Sequence, residues 1–206
     1  MEFVSNVTRT SCTDPITAHE FIRHTVYDLD AAYTSRRIIG LAGTVEVKGR
    51  DASGLDLVSK VTYGYDAGNF DGTGQNISPV GHDGTNYGNG FVAGRGNLTS
   101  ETRWNVESGK ESNSAYAIGS SAKYNTAGAV VSQTTPWDGT STRTVTIDYT
   151  DSFNSSGIAA TYAYPTKITD PRGAVTDITY NVLGSTTQIA YTPVSGLPDT
   201  PTVTFG

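Results

Sequence analysis

The stretch YAYPTKITDPRGAVTDITYNVLGSTTQI, from Tyr162 to Ile189, reads as strand, turn, strand, turn, strand. Tyr162, Tyr164, Thr166 and Ile168 share one parity, the two-residue period of a half-buried strand. Asp170-Pro171-Arg172-Gly173 is turn chemistry: proline presets φ at the first corner and glycine accepts positive φ at the end. From Val175 to Val182 the alternation returns, with Ile178, Tyr180 and Val182 on one face and Thr179 and Asn181 on the other. Asn181-Val182-Leu183-Gly184 turns the chain again, and Thr187, Ile189 and Tyr191 resume the period. A unit made only of strand and turn has to bury its apolar side against something like itself.

The unit has copies. Tyr124-Asn125-Thr126-Ala127-Gly128 matches Tyr180-Asn181-Val182-Leu183-Gly184 position for position. Thr135-Pro136-Trp137-Asp138-Gly139 is a looser counterpart of Thr169-Asp170-Pro171-Arg172-Gly173. Tyr63-Gly64-Tyr65-Asp66 with Gly68-Asn69 reads as a third, degraded copy, and Arg95-Gly96-Asn97-Leu98-Thr99 looks like the strand start that follows such a turn. Internal repetition of this kind decides the architecture before any single residue does.

Tyr-Asp/Asn-x-x-Gly followed by a Val/Thr-rich strand and Asp-x-x-Gly is similar to the YD repeat of the RHS (rearrangement hot spot) family. The strings RGNLT and DPRGAVT resemble bacterial members, and RRIIGLAGTVEV, from Arg36 to Val47, resembles a segment upstream of YD repeats in RHS-type toxin proteins. The resemblance is clearest from about Val61 to Ile189. It implies a sheet that spirals into a hollow shell around a C-terminal effector, commonly a toxin, and a place outside the cell or at its surface. Two features of complete members find no match: a C-terminal plug region with a self-cleaving Asp pair, and a variable toxin domain after Gly206. That pattern suggests a fragment, a truncated relative, or one of several assembling chains.

The totals agree with a sheet that is wet on at least one face. In 206 residues the hydrophobic share is 36%, below that of an ordinary compact domain, while there are 23 Gly and 12 Tyr. Tyrosine supplies broad amphipathic rings suited to half-buried strands. The formal charge is −6 and the 14 basic residues are scattered, so nothing forms the cationic footprint that nucleic-acid binding needs. Cys12 is the single cysteine, which excludes an internal disulfide. No apolar run approaches the roughly 20 residues of a membrane span, and the start, Met1 to Ser5, shows no signal peptide.

Residues 1–60 read as an upstream β segment, with Thr17 to Asp30 strand or loop and Thr44 to Lys48 a strand. Residues 61–206 read as the repeat region. Strands are expected over Leu57–Tyr65, Asn97–Val106, Tyr116–Tyr124 and Thr142–Tyr149. An irregular insertion occupies about 66–94, with Phe70, Ile77, Val80, Tyr87 and Phe91 packed on the sheet surface. Pro198 and Pro201 lie in a tail that looks like an end in mid-architecture.

Several patterns that imitate chemical sites are better read as structure. His19 and His24 are five apart and do not share a helix face, so they make a poor zinc pair. Asp66 to Gly72 lacks the oxygen ligands of a calcium loop at its third and fifth positions. Gly88 to Gly94 has no strand–helix unit around it to hold a phosphate. Cys12 shows no electropositive surroundings that would activate it. Asp148 with Asp151, and Asp170 with Asp177, are the carboxylate pairs a glycosidase would need, yet Asp and Asn at such turns more simply accept backbone N–H bonds.

The sequence therefore predicts an all-β fold, a broad, curved antiparallel sheet of strand-turn-strand repeats forming part of a shell wall. It predicts no enzyme, cofactor or metal. Structural roles fall to Tyr63, Tyr65, Tyr124 and Tyr180 between strands, to Asp66, Asn125, Asp138, Asp170 and Asn181 at turns, and to Gly68, Gly128, Gly139, Gly173 and Gly184 at turn ends. The expected partners are further repeats in the same or a neighbouring chain, and an enclosed effector. The alternative is a carbohydrate-binding β module, with Trp104 and Trp137 stacking on a glycan.

Overall fold

The computed structural model describes residues 7–8, 20–50, 55–68, 76–138, 141–151, 161–194 and 202–205. Cys12, His19, Asn69 to Gly72, Gly139, Pro198 and Pro201 lie outside those residues. The protein is all-β, and every strand pairing described is antiparallel. It divides into two compact units, 1–67 with 93–120, and 68–92 with 121–206.

In the first unit β1 (Val7–Thr8), β2 (Glu20–Tyr27), β3 (Ala42–Arg50), β4 (Leu55–Tyr65) and β5 (Leu98–Arg103) lie side by side in chain order. A one-turn helix, α1 (Ala31–Thr34), fills the β2–β3 connection and is capped by Asp30, whose carboxylate accepts the Ala32 N–H at 2.7 Å. His24, Glu46 and Lys60 stand opposite one another on three adjacent strands. Glu46 lies 3.9 Å from both the His24 and Lys60 nitrogens and 3.7 Å from Lys48. Opposite charges on facing strands support the register.

The second unit holds β6 (Ile118–Tyr124, from Ser121 on), β7 (Val130–Pro136), β8 (Thr142–Asp148), β9 (Lys167–Thr169), β10 (Val175–Tyr180), β11 (Thr186–Thr192) and β12 (Thr202–Thr204), again neighbours in chain order. Thr134 and Thr144 face each other across β7 and β8 with hydroxyls 2.9 Å apart. Part of the insertion belongs to this unit. It carries a one-turn helix, α2 (Gly84–Tyr87), and Tyr87 meets Phe91 edge to face. It is pinned by Thr126, whose hydroxyl bonds both the N–H and the C=O of Ile77.

One strand is shorter than its alternation predicts. β9 begins at Lys167, not Tyr162: Tyr162 takes a positive φ of 51°, which interrupts an extended run, and the chain bends again at Tyr164 before pairing starts. Tyr116 lies in a 3-10 turn, Ser114–Tyr116, and β6 starts after it. Sequence periodicity continued through both turns and hid them.

Burial is thin. Among the described residues only Tyr33 and Ala174 are buried apolar side chains, while Asn125, Thr126, Asp66, Thr25 and Thr99 are buried polar ones. Most of the best-buried positions among the described residues are thus turn and strand-end groups and not apolar core side chains, the exceptions being Thr25 inside β2 and Tyr33 in α1.

Candidate functional site

The recurring feature is one turn, built the same way at several strand ends. At Asn125 the backbone N–H donates to Ala129 O, Gly128 N–H donates back to Asn125 O, and Oδ1 accepts the N–H groups of Ala127 and Ala129. Asn181 repeats all four bonds with Ser185, Gly184, Leu183 and Ser185. Asp170 repeats them with Ala174, Gly173, Arg172 and Ala174. The glycine has φ of 86°, 80° and 89° respectively, the left-handed region that disfavours a side chain. One short polar side chain thereby satisfies two N–H groups that the turn would otherwise leave unpaired, each worth about 1 kcal/mol.

The same turn exists in split form. Asp66 N–H donates to Asn97 O, and its carboxylate accepts Arg95 N–H at 2.9 Å, Gly96 N–H at 3.0 Å and Asn97 N–H at 2.9 Å. Gly96 has φ 79°. Gly96, not Gly68, therefore occupies the position of Gly128. The chain between Asp66 and Arg95 is an excursion out of the middle of the turn. Gly68 also has positive φ, 66°, but sits at the start of that excursion.

A second split copy lies in the region read as upstream. Asp28 N–H donates to Leu41 O, Asp28 Oδ1 accepts Asp30 N–H, and Gly40 has φ 88°. Here α1 is the excursion. Sequence reading missed Tyr27, Asp28 and Gly40 because eleven residues separate the Asp from its Gly.

The strand ends confirm the equivalence. Register shifts between Val26 and Tyr27, Gly64 and Tyr65, Lys123 and Tyr124, and Thr179 and Tyr180. In each case one residue of the returning strand is passed over: Gly43, Thr99, Val131 and Thr187. A bulge re-aims the strand end, so each of these tyrosines stands at the same step before the turns at Asp28, Asp66, Asn125 and Asn181, whereas the Asp170 turn follows Thr169 with no such shift.

Tyrosine hydroxyls, two of them from these bulges, tie one hairpin to the next within a unit. Tyr65 OH donates to Ala42 O at 3.1 Å, and Ala42 is the partner of Tyr27. In the second unit Tyr149 OH donates to Val130 O at 3.1 Å, and Val130 is the partner of Tyr124. Tyr180 OH donates to Pro165 O at 2.9 Å, and its ring stacks on Tyr164 at 5.2 Å. Burial pushes the pKa of the Tyr65, Tyr149 and Tyr180 hydroxyls above the ordinary phenol value, so each stays protonated and able to donate. Tyr63 is half-buried and pairs with Glu101.

Compared with models of known protein families and with curated proteins, the chain matches none.

The carboxylate pairs are drawn into this backbone scheme. Asp148 and Asp151 line a groove of about 290 Å³ with Thr166, Lys167, Asp177 and Tyr180. Asp148 accepts Thr150 N–H at 2.7 Å. Asp151 accepts Tyr162 N–H at 2.7 Å and the Thr161 hydroxyl. Asp177 lies 4.0 Å from Lys167. Burial opposes ionisation of Asp148, but the Thr150 bonds and the Lys167 charge together hold it below the usual carboxylate value. Asp138 accepts both the N–H and the hydroxyl of Ser141. No group of His, Cys, Asp and Glu able to hold a metal occurs among the described residues, and no described helix is long and apolar enough to cross a membrane.

The two tryptophans differ. Trp104 donates its indole N–H to Thr62 Oγ1 at 3.0 Å and carries the Lys60 ammonium over its ring. Trp137 is 58% exposed and has the Arg143 guanidinium against one face.

Proposed function

We propose that this chain is a non-catalytic structural segment of an RHS/YD-repeat shell, a length of wall that encloses or presents an effector domain. The observation that carries the proposal is the Asx–x–x–Gly turn, repeated with the same four hydrogen bonds at Asn125, Asp170 and Asn181 and with part of that set at Asp28 and Asp66, together with the same bulge at Tyr27, Tyr65, Tyr124 and Tyr180. Such a unit ends in hydrogen-bonding edges and gains stability from the next unit, as repeat architectures do. Thin burial and many exposed Val, Leu, Ile and Tyr side chains suit a sheet meant to continue into further repeats. The turn carboxylates and amides are spent on backbone, which suits scaffolding and leaves few groups for chemistry.

Electron microscopy of the assembly purified from its natural source through a tag on this chain tests the reading. Hollow particles containing a second, protease-protected domain are expected. A solitary monomer, or a solid particle with no enclosed density, contradicts it.

A second reading, a carbohydrate-binding β module at the cell surface, is favoured by one observation, the exposed ring of Trp137. Trp104 supports it less, since its indole N–H and one ring face are already engaged within the sheet.

A further inference from the structure

The loop after α2 carries the chain's one Asn-Gly pair, Asn89-Gly90. Gly88 ends α2, and a Cβ there would lie 2.4 Å from Gly84 O. The chain turns at once. Phe91 N–H donates to Gly88 O at 3.0 Å, which makes Asn89 and Gly90 the two corner residues. Neither takes a positive φ, the pattern of a type I turn, and both are exposed.

The other asparagines of this kind are held. Asn105, Asn113, Asn125 and Asn181 each accept a backbone N–H on Oδ1, and Asn86 gives its amide to Asp83. The residue after each of them carries a side chain: Val106, Ser114, Thr126, Val182 and Tyr87. Asn89 is different on both counts. Its side chain has no hydrogen-bond partner among the described residues, and neither has the Gly90 N–H. A Cβ at Gly90 would meet nothing within 4 Å, so no neighbour crowds that position. Asn89 is thus a labile amide next to an unhindered backbone nitrogen, at an exposed loop tip.

We propose that Asn89 is a site of spontaneous, irreversible modification in the folded protein. The Gly90 backbone nitrogen attacks the Asn89 side-chain carbon Cγ and forms a new C–N bond, closing a five-membered succinimide ring. The Cγ–Nδ2 bond breaks, and Nδ2 leaves as ammonia with the proton that Gly90 gives up. Water then opens the ring. Cleavage at Cγ gives aspartate, and cleavage at the main-chain carbonyl gives isoaspartate. Nothing is oxidised or reduced, and water is the one co-reactant. Asp83-Gly84, in the same loop, shows what protection looks like. The Asp83 carboxylate accepts the Thr85 and Asn86 N–H groups at 3.2 and 3.1 Å and the Asn86 amide at 2.7 Å, while Gly84 N–H donates to His82 O at 2.9 Å. Both reacting groups are tied up there. The product at Asn89 carries an added negative charge. Its isoaspartyl form also adds a methylene to the backbone between Tyr87 and Phe91, whose rings meet edge to face at 5.5 Å. The insertion therefore alters with age while the hairpin turns, whose asparagines are held, do not. The inference is independent of both the wall and the sugar reading.

The test is prolonged incubation of the whole chain, folded and in urea, at neutral and at alkaline pH. Peptide mass mapping locates the exchange of NH2 for OH, and labelling by an isoaspartyl methyltransferase counts the isoaspartate. In the folded chain the peptide holding Asn89 should convert first, faster at alkaline pH, with isoaspartate among its products. Asn125, Asn181 and Asp83 should stay unchanged, and Asp83 should isomerise in urea only. Gly90→Ala should slow the conversion roughly two- to fivefold or more, through the conformational freedom glycine alone supplies. Asn89→Gln should all but abolish it and leave melting unchanged. Conversion of Asn89 in urea but not in the folded chain would overturn the proposal, since the turn would then protect it. Conversion to aspartate with no isoaspartate would overturn the ring-closing route. Earlier conversion of another described asparagine would overturn the assignment to Asn89.

Discussion

Asp66 and Gly96 stand thirty residues apart in the chain, yet they close one turn, the Asp66 carboxylate accepting the Gly96 N–H at 3.0 Å. Asp66 is only 6% exposed, and it also holds Arg95 and Asn97. Asp66→Ala strands three N–H groups in a poorly solvated place, so a loss on the order of 3 kcal/mol is expected in urea unfolding. Asp66→Asn should cost about 1 kcal/mol, because Asn125 and Asn181 run the same turn with an amide.

Asn125 and Asn181 make the same four bonds in different surroundings. Asn125 is 0% exposed, whereas Asn181 is exposed. Water can replace the side chain at Asn181 but not at Asn125. Asn125→Ala should therefore destabilise by about 2–3 kcal/mol, and Asn181→Ala by about 1 kcal/mol or less. Equal losses in parallel denaturant titrations would show that burial does not set the cost.

The turn glycines separate two costs of a side chain. A Cβ at Gly128 meets nothing within 4 Å, so Gly128→Ala should cost only its positive φ, about 1–2 kcal/mol. A Cβ at Gly184 would lie 2.9 Å from the Tyr164 ring. Gly184→Ala should cost more and should also disturb the stack of Tyr164 on Tyr180, visible in near-ultraviolet circular dichroism.

Tyr33 gives the first unit an alkaline limit. Burial, then the charge of Asp66, push its hydroxyl up to about 12 from 10.0. The folded protein then holds this proton where the unfolded chain has lost it. The contribution is complete below pH 10 and is lost as pH rises toward 12. Melting between those values should fall less steeply in Tyr33→Phe than in the parent. The substitution also removes the 3.2 Å bond to Tyr65 O and lowers stability at neutral pH.

The all-β class and the turns at Asn125, Asp170 and Asn181 were legible because each is an unbroken string whose Asx and Gly lie three apart. The turns at Asp28 and Asp66 were not recoverable as strings, since an excursion separates the Asx from its Gly, and Gly68 offered a nearer but different glycine. Tyr162 misled because alternation of side chains does not report φ, and its left-handed backbone stops the strand. Arg143 and Arg172 line one recess because the Asp170 turn closes beside β8, a neighbourhood no local pattern encodes.

If one turn underlies these hairpins, the long insertion is dispensable to the strands that flank it. Removing residues 68–94 leaves Asp66-Ala67-Arg95-Gly96-Asn97, the same length as Asn125-Thr126-Ala127-Gly128-Ala129. Thr126 loses Ile77, so a drop of about 1–2 kcal/mol is expected. Amide hydrogen exchange on this variant is the most direct measurement. Protection across Val61–Tyr65 and Leu98–Arg103, with a slow Asn97 amide, is the expected result; free exchange throughout both segments in an otherwise folded chain would contradict the shared turn.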